Sequence, residues 1–172
     1  MNNLSPQLIP HVAMLCDSYR LWLGKPLLAD SVQGIAAVEA LAQAPFAVVS
    51  HDTSHDPLFN YANQLALDLF EMSWDEFTAL PSRASAEPVN QSERAALLAQ
   101  VSQQGFIENY AGIRIAKSGW RFMIRNATIW NLVNAEGRYQ GQAALIREWQ
   151  PLSQAIDVCS QDDHGLRTKL TG

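Results

Sequence analysis

Leu8, Val12, Leu15, Tyr19 and Trp22 fall at intervals of four, three, four and three residues, the spacing of an apolar stripe along one side of a helix. Pro10 limits its start, and Gly24, Lys25 and Pro26 end it. So narrow a stripe of large side chains needs a cover, either the chain's own sheet or a second copy of the chain. From about Ser31 to Ala44 the apolar positions Val32, Ile35, Val38 and Leu41 predict a second helix, closed by Pro45. Phe46 to Ser50 is short, apolar and rich in β-branched residues, the mark of a buried strand. A polar loop, His51 to Pro57, leads to a second short strand over Leu58 to Tyr61 and a helix from Asn63 to Phe70. Ser73-Trp-Asp-Glu76 has the form of a capping box, with Met72 and Phe77 at the staple positions, and predicts a short helix from Trp74 to Leu80. Asn90, followed three residues later by Glu93, repeats that logic before a longer helix that buries Leu97, Leu98 and Val101 and ends at Gly105.

From Phe106 the periodicity changes. Three strands are predicted, over about Phe106 to Ala116, Trp120 to Val133 and Arg138 to Trp149, with turns at Ser118-Gly119 and Asn134 to Gly137. Simple alternation puts Trp120, Phe122, Ile124, Trp130 and Leu132 on one face of the middle strand, and Arg121, Met123, Arg125, Ile129 and Val133 on the other. Neither set is purely polar, so both faces need at least partial cover, one from the short central helices and the other from the N-terminal helix. The expectation is an α+β fold, an antiparallel meander of about five strands with short helices on one face. Residues 1–30 form an N-terminal helical extension, 31–150 the domain, and 151–172 a polar tail.

The composition of the 172 residues, 48% hydrophobic and 17% charged, is that of a globular chain. A net charge of -5 with no basic run argues against direct binding of nucleic acid, which needs clustered Lys and Arg. No stretch approaches the ~20 apolar residues of a membrane span, and the N-terminus lacks the pattern of a secretory signal. A cytoplasmic location follows as an expectation, with Cys16 and Cys159 reduced.

Two short strands, several short helices, a longer helix and three long antiparallel strands is the element order of a PAS domain, and the chain resembles that fold. More closely it resembles the MEKHLA-domain family, a PAS-related group. The words that carry the likeness include Ala44-Pro-Phe-Ala-Val-Val-Ser-His51, Asn60-Tyr-Ala-Asn63, Trp74-Asp-Glu-Phe77, Leu80-Pro-Ser-Arg83, Glu93-Arg94, Tyr110-Ala-Gly-Ile-Arg114, Trp130-Asn-Leu132 and Gly141-Gln-Ala143. The hexapeptide that names the family is absent. In plant members the resemblance implies a module at the C-terminus of homeodomain-leucine zipper factors that is implicated in dimerisation. This chain is similar to the stand-alone bacterial form, and the resemblance names no ligand.

The leading expectation for function is a sensory module holding a small molecule and signalling through a partner. Its pocket would lie between sheet and short helices, with Asn60, Tyr61, Asn63, Trp74, Arg83, Glu87, Tyr110, Arg114, Trp130 and Gln142 as candidate lining and His51 at a strand end. Arg83 and Arg114 suit a carboxylate or phosphate. The competing reading has Asn60 and Asn63 closing turns or capping a helix, the tryptophans filling core, and Arg83 pairing with Glu87. A homodimer through Leu8, Val12, Leu15, Tyr19 and Trp22, without ligand, is a second function. A small acid–base enzyme using Glu87, Asp52 or His51 is a third. The loop His51-Asp-Thr-Ser-His-Asp56 has metal-ligating residue types, but no helix presets them, and no metal is expected. The cofactor is left unassigned. The helix after Asn63 lacks the cysteine a covalent flavin switch needs, and no His sits where a haem ligand would.

Overall fold

In the computed structural model, which describes residues 4–152, the chain forms one six-stranded antiparallel sheet with helices on both faces. Two helices come first, α1 (Ile9–Leu23) and α2 (Gly34–Ala42). Then follow β1 (Ala47–His51), β2 (Phe59–Ala62), α3 (Gln64–Phe70), α4 (Trp74–Thr78) and α5 (Pro88–Gln104). The meander β3 (Phe106–Ile115), β4 (Arg121–Val133) and β5 (Tyr139–Ile146) is extended by a short β6 (Glu148–Pro151). The order across the sheet is β2-β1-β5-β4-β3, and β6 continues the line of β5 along the first half of β4. Of the polar tail expected over 151–172, Pro151 closes β6, and residues 153–172, Cys159 included, lie outside the described residues.

Local chemistry accounts for most element ends. The Ser73–Glu76 capping box closes in both directions and starts α4. Asn63 caps α3 through its side-chain oxygen. Gly24, at φ 67, ends α1 with an amide bond to the Arg20 carbonyl. Two predicted starts are corrected. Helix α2 begins at Gly34, not Ser31, because Gln33 is extended and serves as its N-cap, and Ile35 then points outward, 41% exposed. Helix α5 begins at Pro88 after Glu87, so Asn90 sits inside its first turn and caps nothing.

The stripe on α1 lies on the chain's own sheet. Leu8, Val12, Leu15 and Tyr19 are all buried. Tyr19 meets Trp130 edge-on at 5.0 Å, the Trp22 indole N–H donates to the Asn131 carbonyl at 2.9 Å, and Ser18 bonds both the N–H and the carbonyl of Val133. Each such large apolar side chain contributes about 1.5–3 kcal/mol when fully buried. In this fold four of the five stripe residues are buried within the chain, and Trp22 is part-buried against it.

Alternation along β4 is broken midway, which corrects the predicted faces. Asn126 (φ 50) and Asn109 on the neighbouring strand (φ 58) are left-handed, and the β3–β4 register shifts on either side of Tyr110. Each is an extra residue in its strand, a bulge that turns the following side chains over. Ile124 and Ile129 therefore line the same cavity, while Trp130 goes to the α1 side against Tyr19.

Candidate functional site

Between the sheet and the helices α3 and α5 lies an inner cavity of about 40 Å³, room for a few water-sized groups. Its walls are mostly apolar: Val49, Phe59, Phe70, Leu98, Ile124 and Ile129 among them. Its polar lining comes from His51, Ser85, Arg94, Tyr110, Arg114 and Gln142. Arg94, Tyr110 and Arg114 also line an open groove of about 230 Å³ against Asn90, Glu93 and Met123, so these three form the border between cavity and surface.

His51 ends β1 with its Nδ1–H donating to the Asp52 carbonyl at 2.8 Å, which leaves Nε2 as an acceptor. That Nε2 is buried and has no hydrogen-bond partner among the described residues. Burial lowers the imidazole's pKa, against an opposing pull from the Asp52 carbonyl, so the ring is neutral near pH 7. Gln142, opposite His51 in the β1–β5 ladder, donates to the Leu98 carbonyl of α5 and to Asn131 Oδ1. Asn131 in turn donates to the Val101 and Ser102 carbonyls. Two adjacent amides thus fasten α5 to the sheet.

Tyr110, Gly112 and Arg114 alternate on β3. With no side chain at Gly112, the Tyr110 ring lies over it and its hydroxyl accepts from Arg114 Nη2 at 3.0 Å. The Arg114 Nη1 donates to the Ile113 carbonyl at 2.8 Å, and the guanidinium stacks at 5.4 Å from the Tyr110 ring. Arg114 is buried. Arg94, from α5, makes no hydrogen bond or ion pair among the described residues. Burial first, and then the Arg114 charge, push its pKa down to about 10.

Of the residues singled out in the sequence, the structure brings His51, Tyr110, Arg114 and Gln142 to this cavity. The others are placed elsewhere. Asn63 is wholly buried and bonded to the backbone of Leu41, Phe46, Val48 and Ala66. Asn60 accepts from Ser50. Tyr61 packs between His11 and the edge of Trp74. Trp130 is under α1. Arg83 is exposed and pairs bidentately with Asp56, not with Glu87, which instead pairs with Arg121. In the loop His51–Asp56, Asp52 accepts from the Ser54 and Leu58 amides, and no three His, Cys, Asp or Glu among the described residues are grouped to hold a metal. Cys16 is half-buried on α1, its thiol pushed up to about 11 by burial and Asp17.

Sequence reasoning missed Arg94, Gly112 and His11. Tyr-x-Gly-x-Arg in a strand was a usable signal, since the i, i+2, i+4 positions share one face. Nothing local marks Arg94, whose role depends on α5 crossing the sheet. His11 appeared terminal but packs on Tyr61 and bonds Ser50 at 2.9 Å.

No helix among the described residues is long and apolar enough to cross a membrane. In solved structures the same fold recurs. A PAS domain from Colwellia psychrerythraea superposes with a TM-score of 0.57 at 15% identity, covering 64% of this chain and 91% of that one. A light-oxygen-voltage domain studied with a flavin analogue gives 0.53 at 20%, covering 68% and 84%. The fold is therefore PAS-like. Among sequences, the homeobox-leucine zipper proteins ATHB-9 and ATHB-15 of Arabidopsis thaliana are 28% and 27% identical over 138 and 126 residues. Those stretches are 76% and 71% of this chain but 16% and 15% of the relatives, so the chain spans about a sixth of their length. The description "MEKHLA domain" matches residues 9–151, from the first turn of α1 to the end of β6. The chain belongs to the MEKHLA domain family.

Proposed function

We propose that the chain is a PAS-like sensory module of the cytoplasm. It takes a small molecule into the cavity between sheet and helices and passes its occupancy to a partner protein. One observation carries this reading: a mostly apolar chamber holds a buried imidazole nitrogen with no hydrogen-bond partner among the described residues, and two arginines stand at its mouth. Binding sites combine apolar walls with a few fixed polar groups in this way. An acceptor such as His51 Nε2 is costly to leave dry and unpaired. A ligand hydroxyl or amide would satisfy it.

The light-oxygen-voltage neighbour was studied with a flavin analogue, but a flavin suits this chain poorly. Helix α3 carries no cysteine, and about 40 Å³ is far below the several hundred Å³ of a cofactor pocket. A much smaller ligand fits, with part of it lying in the adjoining groove. Native mass spectrometry of the purified chain, followed by thermal-shift screening of small metabolites, tests the reading. A true ligand at a hundred times its dissociation constant adds about 2.7 kcal/mol of stability. Ile129→Trp, which fills the cavity, should abolish that gain while the chain stays folded. A gain that survives Ile129→Trp places the ligand elsewhere and refutes the proposal.

A further inference from the structure

We propose that this site selects small organic anions, with an oxyanion head between Arg94 and Arg114 and a short apolar body directed into the inner cavity. The inference rests on the binding reading above and adds the chemical class.

The first support is charge bookkeeping. The chain has 17 acidic against 12 basic residues, so acids are in surplus. Arg20, Arg83, Arg121 and Arg138 each pair with a carboxylate at or near the surface. Arg94 and Arg114 take part in none of the ion pairs among the described residues, although both line the cavity and Arg114 is only 8% exposed. Two part-buried or buried cations line one site, and Glu93, which lines the outer groove with them, is exposed and pairs with neither among the described residues; such an arrangement costs stability unless something neutralises it. The lowered pKa of Arg94 has the same origin.

The second support is the set of hydrogen-bond donors. Arg114 is held by the Ile113 carbonyl and the Tyr110 hydroxyl, which use two of its five N–H groups. The hydroxyl accepts from Arg114, so its own proton remains to be donated. Arg94 contributes a whole unengaged guanidinium from the facing helix. Two guanidiniums and a hydroxyl lining one site match a carboxylate or a phosphate group, which accept several donors at once. The third support is the gradient of polarity. The charged residues border the groove, whereas Phe59, Phe70, Ile124 and Ile129 close the inner end. An ion without an apolar part would leave that end unfilled.

The test uses the full chain at constant ionic strength. Sodium butanoate, pentanoate and hexanoate, the alcohols of the same lengths, and inorganic phosphate are titrated by calorimetry and thermal shift. The carboxylates should bind at least tenfold more tightly than the matched alcohols and than phosphate. Arg94→Gln should abolish that preference. Because Arg94 loses no hydrogen bond or ion pair among the described residues, the variant should fold, and without ligand it should melt at a higher temperature than the parent. Alcohols binding as tightly as carboxylates, with both lost in Ile129→Trp, would overturn the anion class and leave the cavity reading standing. Phosphate binding as tightly as hexanoate would overturn the apolar half of the inference. Affinity for none of the probes, together with an unchanged or lowered melting temperature in Arg94→Gln, would overturn the anion class, while the binding reading is decided by the metabolite screen and Ile129→Trp.

Discussion

Asn63 joins three parts of the fold with one side chain, and its removal has a magnitude that can be worked out. Its oxygen accepts from the Val48 amide of β1 at 2.9 Å and the Ala66 amide of α3 at 3.2 Å. Its nitrogen donates to the Leu41 carbonyl of α2 at 3.1 Å and the Phe46 carbonyl at 2.7 Å. The residue is 0% exposed, so water cannot substitute. Asn63→Ala removes an N-cap, worth about 1 kcal/mol. It also strands three further buried backbone groups, at about 1 kcal/mol each. The expected loss is about 4 kcal/mol, a large part of the 5–15 kcal/mol that holds an ordinary domain. At about 2–4 °C per kcal/mol for this size, the melting temperature should fall by roughly 8–16 °C. Asn63→Asp sharpens the test. It keeps both acceptor bonds, but sets an oxygen against two carbonyls and a charge in the core, so at pH 7 it should be at least as damaging as alanine. Urea unfolding followed by circular dichroism measures both. A loss below about 1 kcal/mol in Asn63→Ala, or an aspartate variant more stable than the alanine one, would refute the assignment of Asn63 to structure. It would return the residue to the list of ligand contacts.

Other substitutions separate fold from site. Gly141 sits at φ 123 with the His51 carbonyl oxygen where a Cβ would go, so Gly141→Ala should cost about 3 kcal/mol in urea unfolding; a cost under 1 kcal/mol would show that β1 and β5 can part easily. At Gly112 the obstacles are the ends of two side chains, the Tyr110 ring tip and Arg114 Nη1, so Gly112→Ala should leave stability within about 1 kcal/mol while pushing the hydroxyl off Arg114 and weakening carboxylate binding about tenfold. Leu15 is wholly buried on the sheet-facing side of α1, so Leu15→Asp should destabilise the chain by several kcal/mol; a folded variant that merely loses mass in sedimentation would point instead to a dimer. Burial holds His11 down to about 4, so the unfolded chain takes up the proton first. Its contribution is whole above pH 6.5 and is lost as pH falls toward 4, about 3 kcal/mol in all, and urea curves at pH 7 and pH 4.5 should diverge more for the parent than for His11→Gln.

The parts of this fold legible in the sequence are those governed by neighbours in the chain. The Ser73–Glu76 box, the Gly24 and Gly105 helix ends and the three-strand meander depend on a few adjacent residues, and each formed as its local chemistry required. The faces of β4 were not legible, because one asparagine in left-handed conformation, Asn126, inverts the alternation, and asparagine is equally at home in a turn. The cover of α1 was open until the sheet was seen beneath it. At the site, Tyr110 and Arg114 lie on one strand face and could be read together, whereas Arg94 reaches them only through the crossing of α5. Arg83 illustrates the converse: an arginine in a family word, but one whose nearest acid in space, Asp56, lies 27 residues away in sequence.

On the binding reading, the helix side of the cavity is the wall that would yield. The sheet side is made of β1, β4 and β5, locked to one another by continuous ladders. The helix side is α5, fastened through the Gln142 and Asn131 amides to the carbonyls of Leu98, Val101 and Ser102. Arg94 and Leu98 lie one turn apart on that helix, so an occupant gripped by Arg94 pulls on the segment those amides hold. Asn131 is also where the two faces of the sheet meet. Its amide N–H donates to the Gly105 carbonyl at the end of α5, and its carbonyl accepts from Trp22 of α1. The Trp22 ring in turn lies where a side chain on Gly105 would be, so helix end, strand and indole are in direct contact. On the binding reading, a displacement of α5 by its ligand therefore has a short mechanical path to α1, through groups already bonded to one another. The surface that changes with occupancy would then include the outer side of α1, on the face of the sheet opposite the cavity.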